Sequence, residues 1–136
     1  FNGEIFNHLE LKKDLIGLNH KFKTNNSDTE VILRSYINDG IDCMKKFNGM
    51  FSFAIFDPRK EILLLGRDRF GIKPLYYVQE KSSFVFSSEL RAIHSSNITE
   101  KNISSQSLSH YLSFQYIPAP LTIFENILII DSVLSI

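Results

Sequence analysis

The stretch from Met50 to Phe56, MFSFAIF in one-letter code, decides the fold of this chain because its apolar residues fall on both parities. In an extended strand, Phe51 and Phe53 lie on one face and Phe56 lies on the other. A strand that is apolar on both faces must be covered on both. We therefore predict stacked layers rather than a single sheet with one solvated face.

The sequence downstream of this strand predicts two β-hairpins. A turn at residues 57–60 leads into a second apolar strand at Glu61–Leu65. A further strand pair is predicted at Pro74–Val78 and Phe84–Phe86, joined at residues 79–83. Hairpins join neighbouring antiparallel strands, so the sheets should be antiparallel.

Helical patterns lie before and after the strands. Asn7 with Glu10 approximates a capping box, and residues 27–30, Ser-Asp-Thr-Glu, form a complete one ahead of an apolar stripe that Gly40 ends. Residues 21–24 alternate and predict a short strand. Three more short helices are predicted at residues 43–47, at residues 89–94 behind a Ser88 cap, and around Leu108, Tyr111 and Leu112. Helices segregated from hairpins predict an α+β fold with antiparallel sheets.

Charge and composition exclude several classes of partner. The 136 residues carry 15 Lys and Arg against 15 Asp and Glu, so the formal net charge is zero. Such a chain has no general electrostatic attraction for nucleic acid or an anionic membrane, and no apolar run approaches the roughly 20 residues that span a bilayer. One cysteine forms no internal disulfide, which is typical of a reducing compartment. We expect no nucleic-acid or membrane partner and a cytoplasmic location.

Common catalytic motifs are missing from the sequence. It has no Gly-rich phosphate loop, no H-E-x-x-H, no C-x-x-C and no G-x-S-x-G. The four histidines lack metal-ligand spacing, so we predict no metal site. Cys43 lies among apolar residues with no neighbouring histidine, and a small buried hydrophobe is the favoured interpretation over a nucleophile.

Three groups of residues remain as candidates, each with a simpler structural alternative. Asn2 and Gly3 offer a side-chain donor and a close backbone approach, as in an oxyanion hole, with Glu4 available to hold a cation; the alternative is a turn. Asp28 could bind an ammonium group or simply favour the start of a helix. Residues 66–74 combine glycines, a proline and alternating charges, and we predict a tight connection with internal ion pairing.

Five stretches in order are similar to one known family. They are Phe1–Asn7, Ser27–Val31, Phe47–Ala54, Arg67–Tyr77 and Phe86–Ile93. Together they closely resemble the glutaminase domain of glutamine-hydrolysing asparagine synthetases, which are class II glutamine amidotransferases with the N-terminal-nucleophile hydrolase fold. The resemblance implies a partial four-layer αββα sandwich.

The resemblance also implies a role for each candidate residue. The Asn2 side chain and the Gly3 backbone N–H would hold the oxyanion, and Glu4 and Asp28 would hold the α-amino end of glutamine. The released ammonia would pass to a second domain, where ATP and Mg²⁺ activate aspartate. The family's nucleophilic cysteine has no counterpart in this chain and is expected before Phe1.

The expected organisation follows from the same resemblance. Residues 1–116 would be the C-terminal part of the amidotransferase domain, and residues 117–136 a link towards an absent synthetase domain. We expect a chain truncated at both ends and inactive alone, with glutamine, the missing N-terminal strands and the synthetase domain as partners, and a homodimer left open. The alternatives are an amidotransferase with another acceptor, as in polysaccharide synthesis, or a non-catalytic amidotransferase-like binding module.

Overall fold

A computed structural model of the chain describes residues 1–81 and 83–136. The helices are α1 (His8–Gly17), α2 (Asp28–Asp39), α3 (Leu90–Ser95) and α4 (Ser105–Phe114), with a 3₁₀ segment at Gly40–Lys46. The strands are β1 (Asn2–Ile5), β2 (Gly49–Asp57), β3 (Ile62–Arg67), β4 (Tyr76–Glu80), β5 (Ser83–Ser87), β6 (Leu128–Ile129) and β7 (Val133–Ser135). Within the described ranges, every helix is too short or too polar to cross a membrane.

The strands form two antiparallel sheets. The first has the order β1-β2-β3-β7 and the second the order β5-β4-β6. The hairpins β2–β3 and β4–β5 lie where the sequence predicts them. Helix α2 ends at Asp39, and Gly40, which has a φ of 61°, is its C-terminal cap. The predicted α+β fold with antiparallel sheets is confirmed.

Three apolar clusters show how the elements stack. In the first, α1 and α2 cover one face of the first sheet, with Val31 and Tyr36 against Phe51 and Phe53. In the second, Leu65 of β3 and residues of β7 meet β4 and β5 of the other sheet. In the third, α3 and the chain around residue 127 pack on the outer face of the second sheet. The predicted stacking of layers is confirmed.

The two faces of β2 are nevertheless covered unequally. Phe51 and Phe53 are each 3% exposed, whereas Phe56 is 68% exposed and Ala54 is also exposed. Burial of the whole strand on both faces was therefore a wrong prediction. The second sheet covers β3, whose Leu65 is fully buried, but it does not reach the outer end of β2.

The predicted strand at residues 21–24 is wrong, because this segment is a loop. Lys12 Nζ donates to the carbonyl oxygens of Thr24 and Asn25, each at 2.7 Å. The Glu30 carboxylate accepts the backbone N–H groups of Lys23 and Thr24 at 2.9 Å. Side chains of α1 and α2 thus bind the backbone that a strand would have used for pairing.

Helix capping also differs in detail from the prediction. Ser27 Oγ accepts the Glu30 N–H at 3.4 Å, but the Glu30 side chain turns to the loop instead of closing the box. Asn7 makes no cap; its Nδ2 donates to the Lys46 carbonyl at 2.9 Å and joins α1 to the chain before β2. Ahead of α3, it is Ser87 rather than Ser88 whose Oγ accepts the Glu89 N–H, at 3.0 Å.

Residues 117–136 are integrated with both sheets. They supply β6, which pairs with β4, and β7, which pairs with β3. The predicted link is therefore packed on the rest of the chain. The proposed division at residue 116, and the synthetase domain beyond it, stay predictions.

Candidate active site

The Asn2–Glu4 segment is an edge strand and not a turn. It forms β1, which lies at the end of the strand order β1-β2-β3-β7 and pairs with β2, with Gly3 opposite Phe51. Gly3 has a φ of +134°, which side chains rarely adopt. A Cβ at this position would collide with the Met50 carbonyl oxygen and lie 2.7 Å from Phe51 Cα. Only glycine can therefore occupy this position without moving β2.

The backbone of Phe51 is turned away from Gly3. Its N–H donates to Asp68 Oδ2 at 3.3 Å, and its carbonyl accepts the Asp68 N–H at 2.8 Å. In an antiparallel pair, both backbone groups of a residue point to the same side. Phe51 consequently does not occupy the Gly3 N–H, and the other side of β1 is the open edge of the sheet.

Asn2 lines a small cleft between the edges of the two sheets. The cleft has a volume of about 180 Å³ and is bounded by β1 and β2 on one side and by the end of β5 on the other. Its lining includes Phe1, Asn2, Ser52, Leu75, Phe86 and Ser87. Asn2 is exposed there, so its amide is accessible to a small molecule. A donor amide at the mouth of a cleft suits the binding of a polar ligand.

Asp28 lies where α2 meets β1. It is the first residue of α2, and its Oδ2 accepts the Ile5 N–H at 3.3 Å. The structure thus brings Asp28 to the end of the strand that carries Asn2, Gly3 and the exposed Glu4. Sequence reasoning missed the bond to Ile5 because the two residues are 23 positions apart.

Cys43 has different surroundings from the residues that line this cleft. It is fully buried in the cluster between the helices and the first sheet. Burial is the main cause that raises the pKa of its thiol to about 11. The thiol is therefore protonated at neutral pH and a poor nucleophile, in agreement with the favoured interpretation from the sequence.

The connection after β3 is held by hydrogen bonds between side chains and the backbone. The predicted ion pairing within it is wrong. Arg67, which is 8% exposed, donates to the carbonyl oxygens of Gly71, Lys73 and Ile130 at 2.5, 2.8 and 2.9 Å. Gly71 has a φ of +65°, and a Cβ there would lie 2.6 Å from the guanidinium. The positive charge of Arg67 is therefore used to fix the path of the loop.

Asp68 is the buried carboxylate of the same loop. It is 1% exposed, and its oxygens accept the Ile72 and Lys73 N–H groups, each at 3.0 Å, besides that of Phe51. Burial by itself raises the pKa of Asp68, but these backbone bonds outweigh it and hold the pKa below its usual value.

The chain matches the family of the glutamine amidotransferase domain over residues 1–133. It belongs to that family. The match begins before β1 and ends in β7, so it includes Asn2, Gly3, Glu4 and Asp28.

Several relatives of this amidotransferase domain are named as glutamine-hydrolysing asparagine synthetases. One, from Methanocaldococcus jannaschii, is 44% identical over 128 residues, which cover 93% of this chain and 24% of the relative. A second, asparagine synthetase 1 of Bacillus subtilis, is 38% identical over 93% of this chain and 20% of its own length. Asparagine synthetase 3 of the same bacterium is 46% identical over 68% of this chain. The chain spans about a quarter or less of these relatives.

Proposed function

We propose that this chain is part of the glutaminase domain of a glutamine-hydrolysing asparagine synthetase. The observation that carries the proposal is the β1 edge strand, where a sterically required Gly3 keeps its N–H clear of Phe51 beside the accessible amide of Asn2. Membership of the amidotransferase family and the names of the relatives support the same assignment.

In the proposed reaction, Asn2 and Gly3 hold the charge that develops on the glutamine side-chain oxygen. Attack on the amide carbon turns the carbonyl oxygen into an oxyanion, and the Asn2 Nδ2 and the Gly3 N–H donate to it. One such donor in an acyl-transfer site is worth about 2.7–4 kcal/mol. Because the donors are fixed on a strand, little reorganisation is needed when the charge appears.

Glu4 and Asp28 are proposed to bind the α-ammonium group of the substrate. Two carboxylates at the end of β1 and the start of α2 provide the opposite charge, and Asp28 is oriented by its bond from Ile5. A held ammonium fixes the substrate relative to the oxyanion donors, so binding and orientation come from the same residues.

The nucleophile is proposed to be a cysteine upstream of Phe1, because Cys43 is buried and its pKa is raised to about 11. Its thiolate would attack the amide carbon, and the leaving nitrogen would take up a proton and depart as ammonia. Water would then hydrolyse the acyl-enzyme to glutamate and the free thiol. On this proposal the 136-residue chain alone has no glutaminase activity. The strands that carry the nucleophile would also complete the N-terminal-nucleophile sandwich.

ATP and Mg²⁺ are proposed to act in the part of the relatives that this chain does not match. Across residues 1–81 and 83–136, no three His, Cys, Asp or Glu side chains come together as metal ligands. The ligase reaction, the cytoplasmic location and a homodimer stay predictions about the whole protein.

The test is product analysis with the full-length protein. We expect glutamine to give glutamate and ammonia, and glutamine with aspartate and ATP to give asparagine. Hydrolysis of glutamine without asparagine formation would favour an amidotransferase with another acceptor. Glutamine binding without hydrolysis would favour a non-catalytic binding module, and no interaction with glutamine would contradict the proposal.

A further inference from the structure

Asp68 fixes the part of β2 that pairs with Gly3. Its N–H donates to the Phe51 carbonyl at 2.8 Å, and its Oδ2 accepts the Phe51 N–H at 3.3 Å. Phe51 is the cross-strand partner of Gly3. Both backbone polar groups of this partner residue are therefore bonded to one buried aspartate from the loop after β3.

Asp68 is itself held in place by further hydrogen bonds within its loop. Its carboxylate accepts the Ile72 and Lys73 N–H groups at 3.0 Å, and its own carbonyl accepts the Gly71 N–H at 2.9 Å. Bonds to a charged acceptor are roughly twice as strong as neutral ones. The loop and β2 are thus joined by a compact set of bonds, and the 1% exposure of Asp68 leaves water little access to compete for them.

A shift of Phe51 towards β1 displaces Gly3, because the two residues are cross-strand partners and no side chain separates them. A Cβ on Gly3 would lie 2.7 Å from Phe51 Cα and collide with the Met50 carbonyl. We propose that Asp68 is a positioning residue, which sets the place of the Asn2 and Gly3 oxyanion donors by fixing the Phe51 backbone. This inference rests on the proposed glutaminase function.

The role predicts a specific kinetic effect. Oxyanion donors act on the tetrahedral intermediate more than on bound glutamine, so their displacement lowers kcat and leaves KM nearly unchanged. Deleting one such donor lowers kcat by about 10²–10³-fold. Displacing two donors by a fraction of an ångström should cost less, about 10- to 100-fold.

The test is Asp68→Asn in the full-length protein. Asparagine keeps the shape of the side chain but turns one acceptor oxygen into an NH₂ group that faces backbone N–H donors. We expect the kcat for glutamine hydrolysis to fall about 10- to 100-fold, with the glutamine KM within about threefold of the wild type. Asparagine synthesis from free ammonia should keep its rate, because it does not use the oxyanion donors.

Arg67→Lys is the matched control, because Arg67 fixes the same loop through Gly71, Lys73 and Ile130 without a side-chain bond to Phe51. It should lower the melting temperature while kcat stays within about threefold of the wild type. Equal losses of kcat in both variants, at equal losses of melting temperature, would overturn the inference and make Asp68 a purely structural residue.

The outcomes separate the inference from the proposed function. A wild-type protein that does not hydrolyse glutamine refutes both. A wild type that hydrolyses glutamine, together with an Asp68→Asn variant of unchanged kcat, refutes the inference alone. If Asp68→Asn does not fold, Asp68→Glu carries the test with a charged but displaced carboxylate. Failure of both to fold while Arg67→Lys folds would assign Asp68 to folding rather than positioning.

Discussion

The two faces of β2 carry similar apolar residues and have opposite surroundings. On the helix side, Phe51 and Phe53 stack with ring centroids 5.9 Å apart and are almost fully buried beneath α1 and α2. On the other side, Phe56 is 68% exposed. The closed face supplies stability, and the partly open face adjoins the cleft at Asn2. An apolar pattern alone therefore does not tell which face of a strand is a core and which lies beside a site.

The largest effect is expected when one phenylalanine on each face of β2 is truncated to alanine and the losses of unfolding free energy are compared. Phe53→Ala should cost about 3–5 kcal/mol of unfolding free energy, because it leaves a cavity in the closed cluster. Phe56→Ala should cost less than about 0.5 kcal/mol if its face is open in the whole protein. Denaturant unfolding of both variants measures the difference.

A comparable loss at Phe56 would show that other parts of the full-length protein cover this face. The comparison would then hold only for residues 1–136, and the exposed side of β2 would be an internal surface.

Asp28 lies where α2 meets β1, and its substitution should affect binding more than folding. If Asp28 pairs with the substrate ammonium, Asp28→Asn should weaken glutamine binding by about 2–5 kcal/mol, or roughly thirtyfold to several thousandfold. Asparagine can still accept the Ile5 N–H, so the loss of stability should be at most about 0.3–1 kcal/mol. The glutamine KM and the melting temperature of the full-length protein measure the two quantities.

Free ammonia supplies the control for Asp28→Asn, because ammonia-dependent synthesis should be unaffected. A lowered melting temperature with an unchanged glutamine KM would show that Asp28 only stabilises the start of α2 and does not bind the substrate.

The smallest effect is expected in acid, where protonation of Glu30 removes its bonds to the loop at residues 21–24. The hydroxyl of Thr24 and the Lys23 N–H are the main causes that lower the pKa of Glu30 to about 2. A carboxyl whose pKa is lower in the folded than in the unfolded state stabilises the folded state at pH values above its unfolded pKa of about 4.3. That contribution is lost as the pH falls from about 4 towards 2.

Hydrogen exchange of residues 22–25, corrected for its intrinsic pH dependence, measures this effect. The wild-type loop should lose protection over that window, and Glu30→Gln should show low protection that changes little with pH. Protection in the wild type that persists unchanged down to pH 2 would show that Glu30 does not order the loop.

Local patterns in the sequence predicted the elements whose causes are local. The β2–β3 hairpin and α2 follow from apolar periodicity, a turn and a Ser27 cap. The loop at residues 21–24 was missed because Lys12 and Glu30 reach it from two different helices. Residue types alone marked Asn2–Glu4 and Asp28 as candidates, and only the family resemblance favoured a functional role over a turn or a helix start.

The contacts around the candidate site could not be predicted from the sequence for a physical reason. Asp68 and Phe51 are 17 positions apart, and Asp28 and Ile5 are 23 apart. Such bonds form only after the sheets and helices have been assembled. Their residue types, an aspartate near a strand end and an aspartate at a helix start, each have an adequate local explanation.

The central claim is that β1 carries the oxyanion donors, and the kcat of Asn2→Ala in the full-length protein tests it most directly. Asn25→Ala, at an exposed loop position, is the matched control. We predict that Asn2→Ala lowers the kcat for glutamine hydrolysis about 10²–10³-fold, with little change in the glutamine KM, while Asn25→Ala and ammonia-dependent synthesis stay at wild-type rates. A kcat within twofold of the wild type in Asn2→Ala would contradict the account.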